Sequence, residues 1–211
     1  MTDTVTFAAV IVAAGQGSRF GQPKHTATID GVPLWQRCAN AFAEAGVTSV
    51  VVVGNVPHGI PGGARRRDSV LNGVLAVPDA DWVLIHDAAR ALVTPDLITA
   101  IMDRARSTEV RGVIPGVAVT DTIKRVEAGR VVETLDRSAL IAVQTPQAFE
   151  RASLVEAHAA DPSLDATDDA ALVEHAFGTV DVVPGDPENI KITFPSDLEQ
   201  ARRIVRERGA T

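Results

Sequence analysis

The chain reads as an α/β protein: a Rossmann-like, mostly parallel sheet with helices on both faces and an inserted β-hairpin arm. Three observations predict this. Short apolar runs alternate with segments of helical period along the 211 residues, as expected for strands buried on both faces. The first apolar run ends in a glycine-rich turn, Gly15-Gln16-Gly17. The stretch 117–143 breaks the rhythm, with near-alternating apolar positions on both sides of Glu127-Ala128-Gly129, which marks an antiparallel hairpin. One domain, 1–211, accommodates all of this, and the length is enough to bury a real core.

Taken in order, residues 8–14 form a buried strand that runs into the glycine loop. After Pro33, the apolar residues Leu34, Cys38, Phe42 and Ala45 recur at helical spacing, and Gly46 stops the helix. Residues 47–53 form a second strand, 68–77 a helix and 81–87 a third strand. Thr94-Pro95 is a cap with a first-turn proline, starting a helix to about 106. VRGVIP is a short strand ending at Pro115. The hairpin follows as an arm at about 117–140; two strands alone are marginal in water, so a second subunit is a candidate support. A helix over 149–159, a helix capped by Thr167 with Asp168 and Asp169 in its first turn, a strand near 179–183 and a last helix from Ser196 complete the chain.

Composition narrows the function. A net charge of −7 lacks the broad basic faces of non-specific nucleic-acid binding. No run approaches a membrane span, and MTDTVTF lacks the features of a signal peptide. A lone Cys38 makes neither an internal disulfide nor a thiolate metal site, so the cytoplasm is the expected compartment. Three lysines, Lys24, Lys124 and Lys191, stand against seventeen arginines. Lysine kept so sparingly points to places where a compact ammonium does what a planar guanidinium does not.

Ligands of open α/β sheets sit beyond the carboxyl ends of the strands. There Gly15 and Gly17 let backbone amides approach phosphate oxygens, and Arg19 and Lys24 add full charges. The loop is neither a dinucleotide fingerprint, since Phe20 replaces the third glycine, nor a Walker loop. His86-Asp87-Ala88-Ala89-Arg90 closes the third strand, and Lys191 ends Asn189-Ile190-Lys191. Singly, a glycine turn is often only a turn, and Asp87 would serve as a helix cap; jointly, at strand ends, they make a site. There is no Gly-x-Ser-x-Gly elbow, no Cys–His pairing and no zinc spacing. Glycines, cations and one Asp without an evident base suit a nucleophile that is already charged. A phosphate monoester, with a second pKa of about 6, is one. The chemistry that fits is nucleotidyl transfer, with a metal on a triphosphate.

The motifs AAGQGSRFGQPK (13–24), DSVLNGV (68–74), LIHDAARALV (84–93), DTIK (121–124), DR (136–137), VQTPQAF (143–149), TDDAALVE (167–174) and ENIKIT (188–193) resemble, in order and spacing, those of the 2-C-methyl-D-erythritol 4-phosphate cytidylyltransferases of the non-mevalonate isoprenoid pathway. The resemblance covers nearly the whole chain. It implies that Ala13, Ala14, Gly15 and Gly17 wrap the triphosphate of CTP, and that Arg19 and Lys24 stabilise the transition state at the α-phosphorus. It implies cytosine recognition by Gly63 and Ser69, and places Asp87, Ala88 and Arg90 near ribose, metal and acceptor. Asp87 is then the protein's metal ligand, with Mg²⁺ held mainly by the CTP phosphates. Arg137, Thr145, Thr167 and Lys191 would hold the acceptor, with Thr122 and Arg137 on an arm that crosses to the other subunit of a homodimer.

The sequence departs from the family at Val12 and Ala91, where Pro is common, and at His25. Ala64 takes a position that often carries an acidic residue beside the base, and 53–67 is short. None of these removes a charge assigned to the chemistry. A pentitol-phosphate (ribitol 5-phosphate) cytidylyltransferase shares most of these motifs, and a catalytically silent nucleotide-binding regulator is the alternative from another class.

Overall fold

The computed structural model describes residues 5–15, 27–164 and 166–209. The elements are β1 (Phe7–Val12), β2 (Thr28–Ile29), β3 (Val32–Pro33), α1 (Leu34–Glu44), β4 (Ser49–Val53), α2 (Arg66–Leu75), β5 (Trp82–Asp87), α3 (Pro95–Ser107), β6 (Gly112–Ala118), β7 (Lys124–Glu127), β8 (Arg130–Thr134), β9 (Ile141–Val143), β10 (Gln147–Glu150), α4 (Arg151–Ala160), α5 (Asp169–Phe177), β11 (Asp181–Pro184) and α6 (Pro195–Gly209). The central sheet has the order β11-β6-β10-β5-β1-β4, with β9 beside β6. β4, β1, β5, β6 and β11 run one way, while β10 and β9 run against their neighbours. The sheet is mostly parallel, as expected.

Successive strand residues point to opposite faces. Ala9 and Ile11 of β1 therefore join Leu84 of β5 in a core under α1, α3 and α6. Ala8 and Val10 join Val83 and Ile85 under α2, α4 and α5. Apolar residues on both faces of the same strand are what makes these runs continuous in the sequence. α1 buries Leu34, Cys38 and Phe42 and ends before Gly46, whose φ of +84° favours a residue without Cβ. α3 begins as expected: Thr94 Oγ1 accepts a hydrogen bond from the Leu97 amide, with Pro95 in the first turn.

Three expectations are corrected. The strand at 112–118 runs through Pro115 rather than ending there; the ring costs one N–H, and the Pro115 carbonyl still accepts from the Gln144 amide at 2.8 Å. Residues 147–150 are a strand, where the sequence reading carried a helix back to 149. β10 passes into α4 with no turn residue between, so no punctuation separates them. The cap of α5 is Asp168, whose carboxylate accepts from the Ala171 amide, and not Thr167.

The arm is a two-stranded sheet of its own, β7 with β8, turning at Ala128 (φ +48°) and Gly129 (φ +77°). Both residues are left-handed, the geometry of the type I′ turn. All nine residues of its strands are exposed.

Gly73 faces β1 so closely that a Cβ there would run into Val10 Cγ1 and lie 2.9 Å from Val53 Cγ2. Replacing a helix-interior glycine with alanine ordinarily stabilises by about 1 kcal/mol. Here the sign reverses: Gly73→Ala is expected to cost about 1–3 kcal/mol by overpacking, read as a lower urea midpoint at an unchanged m-value.

Candidate active site

The chain after β1, the turn after β5, the first turn of α2 and the loop before α6 converge at one rim of the sheet. They enclose a pocket of about 370 Å³ lined by Ala13, Ala14, Gly15, Gly63, Ser69, Asp87, Ala88 and Lys191, together with Trp35, Arg65 and Arg66. The first eight were expected from the sequence. Gly63 sits where a side chain has no room: a Cβ would lie 2.9 Å from the Asp68 carbonyl carbon. Its amide donates to Ser69 Oγ at 3.0 Å, and that hydroxyl faces the Arg65 carbonyl at 3.2 Å.

Asp87 holds the electrostatic centre. One carboxylate oxygen accepts from Lys191 Nζ at 2.7 Å; the other accepts from Arg66 Nη2 at 3.0 Å and Nε at 3.2 Å. Arg66 continues through Nη1 to Asp169 Oδ2 at 2.8 Å. Burial by itself would raise the Asp87 carboxyl, but the charges of Arg66 and Lys191 outweigh it and hold the group far below the ordinary carboxylate range. Asp169, buried at the start of α5 and paired with Arg66, is raised by burial. Arg66 and Asp169 were missed. Three consecutive arginines before the Asp68-Ser69-Val70 motif were the available signal, but periodicity does not say which of them turns inward.

The remaining expected residues fall elsewhere. Arg90 lies behind the wall, donating to the carbonyls of Asn189 (2.7 Å) and Val143 (3.2 Å) and so bracing the loop that carries Lys191. Thr145 is buried, its hydroxyl receiving the Asp87 amide at 3.1 Å. Thr167 is exposed just before α5. Thr122 and Arg137 belong to the arm region, where the Arg137 guanidinium donates to the Thr120 carbonyl. Gly17, Arg19 and Lys24 lie outside the described residues.

Among the described residues of the wall, no side chain is a base poised near neutrality. Asp87 is too acidic, and His86 beneath it is buried and pushed down to about 4. Joining two species that are both already anionic asks for this balance: cations to offset repulsion, amides to hold oxygens, and no base. It places the chain among the nucleotidyltransferases.

A family model described as 2-C-methyl-D-erythritol 4-phosphate cytidylyltransferase matches residues 7–207. A cytidylyltransferase of that description from Nocardia farcinica is 41% identical over 221 residues, covering 96% of this chain and 95% of the relative. The crystal structure of the Thermus thermophilus enzyme of the same description superposes with a TM-score of 0.81 at 32% identity, covering 96% of this chain and all of that one. A bifunctional enzyme IspD/IspF from Solidesulfovibrio magneticus is 43% identical over 219 residues, covering 90% of this chain and 54% of the relative. The chain spans about half the length of that fused relative and nearly all of the single-activity one. The chain belongs to the 2-C-methyl-D-erythritol 4-phosphate cytidylyltransferase family. The family's description names a cytidylyltransferase of 2-C-methyl-D-erythritol 4-phosphate.

His86 and His158 are both held near 4 by burial, against about 6.5 in the unfolded chain. Between those values the unfolded chain binds more protons, so both residues make stability fall as pH drops from about 6.5 towards about 4. Asp169, raised by burial, works the other way at the low end. The difference between the native chain and His158→Leu isolates the imidazole. Thermal midpoints measured across this range should fall less steeply in the variant.

Proposed function

We propose that the pocket binds CTP with its triphosphate on the loop of Ala13, Ala14, Gly15 and Gly17 and its cytosine against Gly63 and Ser69. The acceptor phosphate then sits over Lys191. The observation that carries this reading is the Arg66–Asp87–Lys191 cluster, which is set into a pocket where Ala13, Ala14, Gly15, Gly63 and Ala88 leave backbone open to a ligand. Ser69 supports cytosine. With its proton on the Arg65 carbonyl, its hydroxyl retains only lone-pair capacity, which suits the exocyclic amino donor of cytosine and not the carbonyl of uracil.

In the step itself an oxygen of the acceptor phosphate forms a bond to the α-phosphorus of CTP. The bond to the bridging oxygen breaks, and pyrophosphate leaves with that electron pair. The incoming phosphate needs no deprotonation. Arg19 and Lys24 stabilise the charge that develops at the α-phosphorus. Lys191 and Arg137 hold the acceptor phosphate, and Thr122 and Thr167 its hydroxyls. Mg²⁺ is the implied metal. Among the described residues no cluster of three acidic, histidine or cysteine groups builds a cage, but the Asp87 carboxylate at the pocket fits a metal held mostly by substrate phosphates. When bound, it would neutralise triphosphate charge.

The arm points to a homodimer. Val126, Val131 and Val132 are 50–60% exposed on a hairpin whose strands, among the described residues, pair with each other and not with the central sheet. Exchange of arms across a two-fold axis would cover them and bring Arg137 to the opposite pocket. No described helix is long and apolar enough to cross a membrane, and we place the enzyme in the cytoplasm.

With methylerythritol phosphate and Mg²⁺, pyrophosphate release is expected from CTP and not from UTP; equal use of both would overturn the cytosine assignment. Lys24→Ala should lower kcat about 10²–10³-fold while leaving KM for CTP nearly unchanged. Arm exchange has its own check. Lys24→Ala and Arg137→Ala subunits, each inactive alone, are mixed and allowed to exchange. One site of each mixed dimer collects both defects and the other is sound, so roughly a quarter of native activity should return. No recovery despite demonstrated mixed dimers would place Arg137 in its own subunit's site.

A further inference from the structure

We propose that His86 is a positioning residue for cytidylyl transfer, acting through the Thr145 hydroxyl to fix the Asp87–Arg90 turn; the proposal rests on the site assignment above. His86 is fully buried at the end of β5, with Phe42 packed against its ring edge-on at 5.5 Å between centroids. Its Nε2 lies 3.2 Å from the Arg90 carbonyl, and its Nδ1 lies 3.1 Å from Thr145 Oγ1. The Asp87 amide donates to the same hydroxyl at 3.1 Å.

These contacts admit one arrangement of protons. A carbonyl only accepts, so Nε2 carries the hydrogen. Among the described contacts, Nδ1 is the acceptor within reach of the Thr145 hydroxyl, so the hydroxyl donates to it and Nδ1 offers a lone pair. The Thr145 oxygen, its proton committed, receives the Asp87 N–H. The chain of bonds starts at the amide of Asp87 and ends at the carbonyl of Arg90, and so spans the turn. That turn carries Asp87 and Ala88 into the pocket, and its Ala89 carbonyl receives the Ile192 amide at 2.8 Å, next to Lys191. Asn189 Nδ2 donates to the Thr145 carbonyl at 2.9 Å, closing the link to the same loop. One imidazole thus sets the position of Asp87 and, through the turn, the register of Lys191. Thr145 works here as a relay behind the wall.

The experiment combines ¹⁵N NMR of the native imidazole with steady-state kinetics of Thr145→Ser, Thr145→Val, His86→Leu and the Val/Leu double variant, each checked by its melting curve. The His86 ring should carry its proton on Nε2, with Nδ1 bare as an acceptor. Thr145→Ser, which keeps the hydroxyl, should stay near native. Thr145→Val should lose about 10–100-fold in kcat with little change in KM for the acceptor, as misplacement of a reacting group does. The double variant should be no worse than the weaker single one, because both cut the same chain. A proton on Nδ1, a Thr145→Val defect confined to acceptor KM, or multiplying defects would each overturn the proposal. A native enzyme inactive with CTP and methylerythritol phosphate would instead sink the function assignment, leaving the NMR result to judge the hydrogen-bond chain. Should His86→Leu fail to fold, the Ser/Val pair and the NMR result decide.

Discussion

Lys191, Arg66 and Asp87 form a salt-bridged cluster on which the geometry of the pocket depends. A carboxylate as buried as Asp87 is costly unless its charge is matched, and here each oxygen has its own cation. The two cations come from distant parts of the chain, the start of α2 and the loop before α6. Asp87 therefore joins three elements that share no local contact in sequence. It also occupies the cations that anionic substrates need, so the pocket exists as a neutralised unit before anything binds.

The arginines around it divide the work by direction. Successive residues of a helix point about 100° apart. Arg65 pairs with Asp68 and the Pro162 carbonyl, Arg66 with Asp87 and Asp169, and Arg67 with the carbonyls of His158, Asp161 and Leu164. A planar fork satisfies several acceptors at once, which a lysine does not. The single lysine of the cluster stands where one point charge is enough. The bias against lysine, unusual as composition, thus matches a division between bracing and binding at this site.

Much of the site was legible because strand ends are legible. A continuous apolar run stops where glycine or a charge begins: the run that holds β1 ends before Gly15, and β5 ends on Asp87. Lys191 stood out by its rarity. Arg66 and Asp169 did not, because a charged residue in a first helical turn looks the same whether it faces solvent or a partner 103 residues away. β10 was hidden for another reason: four residues without a turn before the following helix carry no period long enough to tell strand from helix. Thr145 was seen as a motif position, but only the contacts of His86 show which way its hydroxyl is committed.

β10 runs against β5 and β6 and so begins at the rim where β5 ends. The chain enters it from β9, and only Gln144 stands between β9 and Thr145. The return path of the arm therefore passes directly behind the catalytic turn. A hairpin that would be an ornament on a fully parallel sheet becomes, through this one reversed strand, a mechanical extension of the wall of the pocket. The placement of the arm and the shape of the pocket are in this way properties of the same short piece of chain.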